Sequence, residues 1–290
     1  MKWLRDHALN IYAGLAVAYM LIPIGVIAVF SFNNPAGRYN FTWEGFTLDH
    51  WKDPFAIEEL TDAMITSIEL AAVATVISTA LGVLVAMALV RYEFFGRKTS
   101  NLLIVIPTAT PEVVIGAALL SMFLLPPFVN FINLGFQSLV IAHVMFSISF
   151  VVIVVRSRLI GFDRSLEEAS RDLGASAFTT FRTITLPLLM PGIIAAALLA
   201  FALSIDDFVI SNFNSGTTVT FPLYIYGASQ RGIPVEVNVL ATLLFVITAL
   251  AMAFVVWQQR RAEKLAATRP DDEELEPLPR PTARPPVPAS

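Results

Sequence analysis

Apolar residues in this chain come in blocks of about twenty, the length at which a helix crosses the hydrocarbon core of a bilayer. Six such blocks are legible, at about 8–30, 66–90, 102–125, 136–155, 190–210 and 237–257. Most charged residues stand in the segments between them. The pattern predicts an all-α, polytopic membrane protein, because only helices satisfy their own backbone groups where water is absent. Residues 1–65 form a first span and an outer loop, 66–260 a core of spans, and 261–290 a tail.

Composition agrees. Of the 290 residues, 56% are hydrophobic and 14% charged, against the ~25% charge usual in soluble domains. The net charge of −4 is dominated by the acidic tail. Residues 268–290 are rich in Pro and acids with almost no apolar content, and are expected to be disordered. The absence of cysteine excludes disulfides and thiolate metal sites, and no basic, aromatic-interleaved patch suggests nucleic acid. Lys2 and Arg5 before the first block admit a signal-peptide reading, but the block is too long and no small-residue cleavage site follows, so a retained span is expected.

Loop charge gives the orientation. With the amino terminus inside, the inner segments hold Lys2, Arg5, Arg91, Arg97, Lys98, Arg156, Arg158, Arg164, Arg171, Arg182, Arg260, Arg261 and Lys264. The outer ones hold only Arg38, Lys52 and Arg231. This is the positive-inside bias, which places both termini in the cytoplasm. The outer loop 31–65 mixes aromatics (Tyr39, Phe41, Trp43, Phe46, Trp51) with acids, as an interfacial belt with a solvated face would.

The inner segment 165–187, SLEEASRDLGASAFTTFRTITLP, is long and patterned. Leu166, Ala169 and Leu173 fall on one side of a short helix, Gly174 permits a sharp turn, and Phe178, Phe181 and Ile184 line a second helix. Pro187 suits the first turn of the span that follows. The segment resembles the EAA loop of ABC importer permeases. Glu168, Ala169, Gly174, Ile184, Leu186 and Pro187 stand at that family's spacing, with Ser170 replacing its second alanine. Further stretches, PEVV at 111–114, RSRLIGFD at 156–163, SIDDF at 204–208, FPLYIY at 221–226 and GIPVEVN at 232–238, are similar to the second permease of spermidine/putrescine transporters.

The resemblance implies the type I importer permease fold with six spans and a cytoplasmic coupling loop. It also implies import of polyamines together with a related second permease, two ATPase subunits and an extracytoplasmic polyamine-binding protein. ATP and Mg belong to the ATPase, and this chain is expected to bind no cofactor or metal and to be no enzyme. The residues agree in one respect: the stretch around Lys98 lacks the glycine that a phosphate-binding loop needs before its lysine. Permeases for a metal ion or an oxyanion stay open as alternatives, as does a stand-alone secondary transporter, which would have no need of a coupling loop.

Acids inside spans are expensive and are candidate pathway residues. Asp206 and Asp207 fall about sixteen residues into the fifth block, roughly 25 Å from its inner end. Ser204, Asp207 and Ser211 share a helical face, so Asp207 is the better pathway residue, with Asp206 turned to another helix. Glu112, flanked by Pro107 and Pro111, shares a face with Thr108 and Gly116 and either lines the path or pairs across an interface. His143 is expected to bond between helices, Glu69 to reach outward, and Phe208, Tyr224 and Tyr226 to serve as belt residues or cation–π partners.

Overall fold

The computed structural model describes residues 2–267. The helices are α1 (Lys2–Phe30), α2 (Asp49–Lys52), α3 (Glu58–Arg91), α4 (Arg97–Ala109), α5 (Glu112–Leu124), α6 (Phe136–Ile160), α7 (Ser165–Asp172), α8 (Ala177–Thr180), α9 (Leu186–Ile205), α10 (Val209–Asn214), α11 (Phe221–Ser229) and α12 (Val235–Ala267). Among the described residues there is no strand, only an isolated bridge between Asn33 and Phe46. The predicted tail lies outside the described residues. The described residues form two compact units: 2–32 with 238–267, and 33–237. The first holds α1 and most of α12, each with a stretch long and apolar enough to span a membrane.

In the second unit α3, α6 and the stretch from α8 through α9 are single spans. The expected third span is broken. α4 and α5 are bent by 113° about Thr110 and Pro111, so the spans number five, or six with the bent pair taken as one. The physical reason is the proline pair. Pro107 sits inside α4, and Pro111, extended at ψ 133°, stands immediately before α5.

The core of this unit is the three-helix meeting of α3, α6 and α9. Ala86, Leu89, Val151, Val155, Leu189, Ala196 and Ala200 are all buried there. Small residues allow the close approach: a Cβ on Gly82 would fall 2.5 Å from Val151 Cγ1. A second cluster of Leu119, Phe123, Ala142, Phe146 and Ile210 joins α5, α6 and α10. Ser67 of α3 accepts the Phe221 N–H at 2.8 Å and so caps α11.

The outer loop is more ordered than an interfacial belt requires. The Asn33 side chain donates to Asn40 Oδ1 at 2.7 Å and to the Thr42 carbonyl at 2.6 Å, and accepts from the Glu44 N–H at 2.8 Å. His50 Nδ1 lies 3.0 Å from Glu236 Oε1, tying the loop to the start of α12.

Candidate functional site

The predicted continuous fifth span is not present as such. α9 ends at Ile205, Asp206 is its C-cap, and α10 begins only at Val209. The shared face of Ser204, Asp207 and Ser211 therefore does not exist as a helical face. Asp207, 8% exposed, turns inward and accepts the Ile210 N–H at 3.2 Å and the Ser211 N–H at 2.8 Å. It thus caps α10, satisfying donors that a buried helix start would leave unpaired. Asp206 is exposed.

Behind Asp207 stands His143 of α6, only 2% exposed. Its Nδ1 is 2.7 Å from Ser204 Oγ, its Nε2 is 3.0 Å from Ser211 Oγ, and Nε2 is 3.5 Å from Asp207 Oδ2. The expected interhelical bond is therefore made, with Ser204 and Ser211 as partners. Asn214 extends the network. Its side-chain amide donates to the Ile210 carbonyl at 2.9 Å and the Gly116 carbonyl at 3.3 Å, and its backbone carbonyl accepts from Ser138 Oγ at 2.7 Å. The break in the fifth span is thus a built feature, tied by hydrogen bonds to α5 and α6.

Glu112 is the first residue of α5, beyond the bend rather than mid-helix, and it is exposed. The face expected to include Thr108 is lost, because Thr108 belongs to α4. A cavity of about 220 Å3 is lined by Glu112, Phe146, Leu203, Asp206, Asp207, Phe208 and Val209. Two broken spans thereby bring three carboxylates of the sequence to one cavity, two of them exposed to it. Phe208 stacks at a tilt on Tyr226, with ring centroids 4.7 Å apart. Tyr224 instead lines a separate cavity of about 450 Å3 with Arg38, Tyr39, Glu59 and Arg231.

The segment 165–187 forms a short helix, a turn at Gly174 and a four-residue helix that continues into the next span. α7 ends in a Schellman turn: the Gly174 N–H reaches the Arg171 carbonyl at 2.8 Å and the Ala175 N–H the Ser170 carbonyl at 3.1 Å. Gly174 takes φ +84°, a conformation that costs other residues about 1–2 kcal/mol. Ser176 then caps α8, its Oγ accepting from the Thr179 N–H at 3.2 Å. Residues Phe181–Thr185 form a π-helical turn that runs without interruption into α9, where Pro187 occupies the first turn. Glu168, Ala169 and Gly174 are exposed, while Ile184 and Leu186 are half-buried. Leu173 is 90% exposed and Phe178 70%, so the loop presents apolar side chains outward.

Sequence reasoning missed Glu167, the neighbour of the motif glutamate. It is buried, and its carboxylate bonds both guanidinium nitrogens of Arg91, with Nη2 to Oε1 at 2.6 Å, and also the Thr185 hydroxyl. The Arg91 guanidinium holds this carboxyl below the usual range against the opposing effect of burial. Arg91 is 76 positions away, so no local spacing announces the pair.

The family model for the inner membrane component of binding-protein-dependent transport systems matches residues 59–264. The chain is 38% identical over 251 residues to the spermidine/putrescine transport system permease protein PotC of Haemophilus influenzae, covering 86% of this chain and 94% of that one. It is 40% identical over 232 residues to PotC of Escherichia coli, covering 80% and 86%. The putrescine transport system permease protein PotI of Escherichia coli is 34% identical over 255 residues, covering 86% and 90%. Among solved structures, a bacterial alginate ABC transporter superposes with a TM-score of 0.62 at 17% identity, covering 89% of this chain and 98% of that one. An inward-facing methionine transporter superposes with a TM-score of 0.55 at 16% identity, covering 70% and 95%. The apolar helices, the fold and the matched length lead to one assignment: this chain is a multi-pass membrane protein belonging to the binding-protein-dependent transport system inner membrane component family, with the fold of an ABC importer permease.

Proposed function

We propose that this chain is one of two permease subunits of an importer that moves polyamines into the cytoplasm. The observation that carries the reading is the cavity at the two span breaks, where Glu112 and Asp206 stand exposed with Leu203, Phe146 and Phe208 between and around them. A polyamine is a flexible apolar chain with ammonium groups at intervals, and it needs acidic stations separated by apolar wall. A charge-assisted hydrogen bond at each station contributes roughly 1.5–3 kcal/mol, enough to draw a cation in without trapping it. The names of the PotC and PotI relatives support the same substrate class.

Asp206 and Glu112 are the proposed substrate contacts, and Asp207 the residue that holds the break in shape. Glu168, Ala169 and Gly174, with the outward Leu173 and Phe178, are proposed to seat α7 on a separate ATPase subunit, which carries ATP and Mg. A helix that is held to the spans as a body transmits a push where a flexible loop absorbs it. The rest of the assembly follows from this reading: a second permease, a second ATPase and an extracytoplasmic binding protein. The bias of loop charge supports a cytoplasmic side for both termini.

The test is uptake of labelled spermidine and putrescine by the reconstituted complex, with an amino acid, a divalent metal ion and an oxyanion as competitors. Polyamine uptake that depends on ATP and binding protein is the expected result. Uptake of one of the competitors instead would overturn the substrate assignment.

A further inference from the structure

Glu167 joins three elements through one carboxylate. Arg91 is the last residue of α3, Glu167 lies in the first turn of α7, and Thr185 ends the π-helical turn that leads into α9. Both oxygens are engaged: Oε1 by Arg91 Nη2 and the Thr185 hydroxyl, Oε2 by Arg91 Nη1. The guanidinium is held from a further side by the Phe162 ring, its Cζ 5.5 Å from the centroid. Lighter ties accompany it, among them a Ser170–Thr180 hydroxyl contact at 3.1 Å and an Arg164 bond to the Val90 carbonyl at 3.4 Å.

α7 has eight residues, and a helix so short is not stable alone. Unless it is fastened to the spans, a force on its outer face is absorbed by its own fraying. We infer that Glu167 is a positioning residue of coupling: it fastens α7 to α3 and α9 so that motion of α7 is passed to both spans at once. The geometry gives the transfer a destination. The helical rod runs on from Thr185 to Ile205, about 30 Å at 1.5 Å per residue, and ends at Asp206 on the cavity. α3 and α9 also pack together in the central core, so the two recipients of the motion are already one body.

This inference rests on the proposed role of α7 as the ATPase seat, and the experiment separates the two. The full transporter, with its ATPase and binding protein, is reconstituted with Glu167→Gln, with Arg91→Gln, with the exchanged pair Arg91→Glu and Glu167→Arg, and with Leu173→Asp. Three quantities are read: ATPase co-purified, stimulation of ATP hydrolysis by spermidine-loaded binding protein, and spermidine imported per ATP. Glu167→Gln and Arg91→Gln are expected to retain the ATPase while losing stimulation and import per ATP by about fivefold or more, the range of ordinary coupling energies. The exchanged pair is expected to recover part of that loss. Leu173→Asp, outside the clamp, is expected to release the ATPase. Wild-type import per ATP in Glu167→Gln, with the ATPase still lost from Leu173→Asp, overturns the clamp alone. Losses that merely follow the amount of assembled complex, with no recovery in the exchanged pair, overturn it as well. An ATPase retained at full yield by Leu173→Asp overturns the seat on which the clamp depends.

Discussion

Replacing each of the two adjacent aspartates in turn separates transport from architecture. Asp207→Ala removes the acceptor for two buried N–H groups, those of Ile210 and Ser211, and strips His143 of its acidic neighbour. A lost N-cap costs about 0.5–2 kcal/mol, and an orphaned buried donor about 1–3 kcal/mol. With two donors affected in a buried site, the expected loss is about 2–4 kcal/mol. Asp207→Asn keeps one acceptor oxygen and should cost about 1 kcal/mol. Asp206→Asn caps nothing in this structure beyond the end of α9 and should leave stability unchanged. It removes a charge-assisted contact to the cation of roughly 1.5–3 kcal/mol, which amounts to about a ten- to hundredfold slower passage if that contact limits the rate. The assay pairs thermal melting of the purified complex with uptake of labelled spermidine per assembled complex. Asp207→Ala should melt early and accumulate poorly, and Asp206→Asn should melt normally and transport slowly. The opposite outcome, a stable Asp207→Asn complex that fails to transport beside a fully active Asp206→Asn, would refute the assignment and restore Asp207 as the substrate contact.

Two further outcomes are expected. Gly82→Val should lower the melting temperature of the complex, since its Cβ would lie 2.5 Å from Val151 Cγ1 and overpacking of this kind costs about 1–3 kcal/mol; adding Val151→Ala should restore part of the loss. The Glu167 carboxyl is held low by Arg91, so its contribution is complete above the ordinary carboxylate value of about 4.3 and is lost only as pH falls through the lower folded value. Import per ATP in proteoliposomes should therefore show no Glu167-dependent change when pH on the ATPase side is varied from about 6 to 8, and a Glu167-dependent transition inside that window would contradict the ion pair.

The spans and the inner loop were legible because their signals are local. α3 and α6 are apolar without interruption, and the loop from Ser165 to Pro187 carries its turn in Gly174, its cap in Ser176 and its re-entry in Pro187. The breaks were legible only in part. Pro107 and Pro111 announced a disturbed third span, but two prolines say nothing of a 113° change of direction. Hydropathy runs unbroken through Leu203, Ile205, Phe208 and Ile210, so the fifth block looked like one helix. The contrary signal was Asp207 itself, an acid three and four residues before N–H groups it could cap. The partners of Glu167 and His143 lie 18 to 76 positions away and belong to the tertiary structure alone.

The polar break between α9 and α10 bears on how the chain enters the membrane. A segment carrying Ser204, Asp206, Asp207, Ser211 and Asn214 cannot partition cheaply into lipid by itself, since an aspartate costs about 2.5–3.5 kcal/mol at the centre of a span on insertion scales and a smaller penalty towards its end. Its hydrogen-bond partners, Gly116, Ser138 and His143, are all earlier in the chain. Synthesis therefore presents α5 and α6 to the bilayer before the segment that depends on them emerges. Integration of the fifth span becomes an assisted event, with α6 as an intramolecular chaperone. A glycosylation-mapping experiment on truncated chains would register this as efficient insertion of 186–216 only when 112–160 precede it.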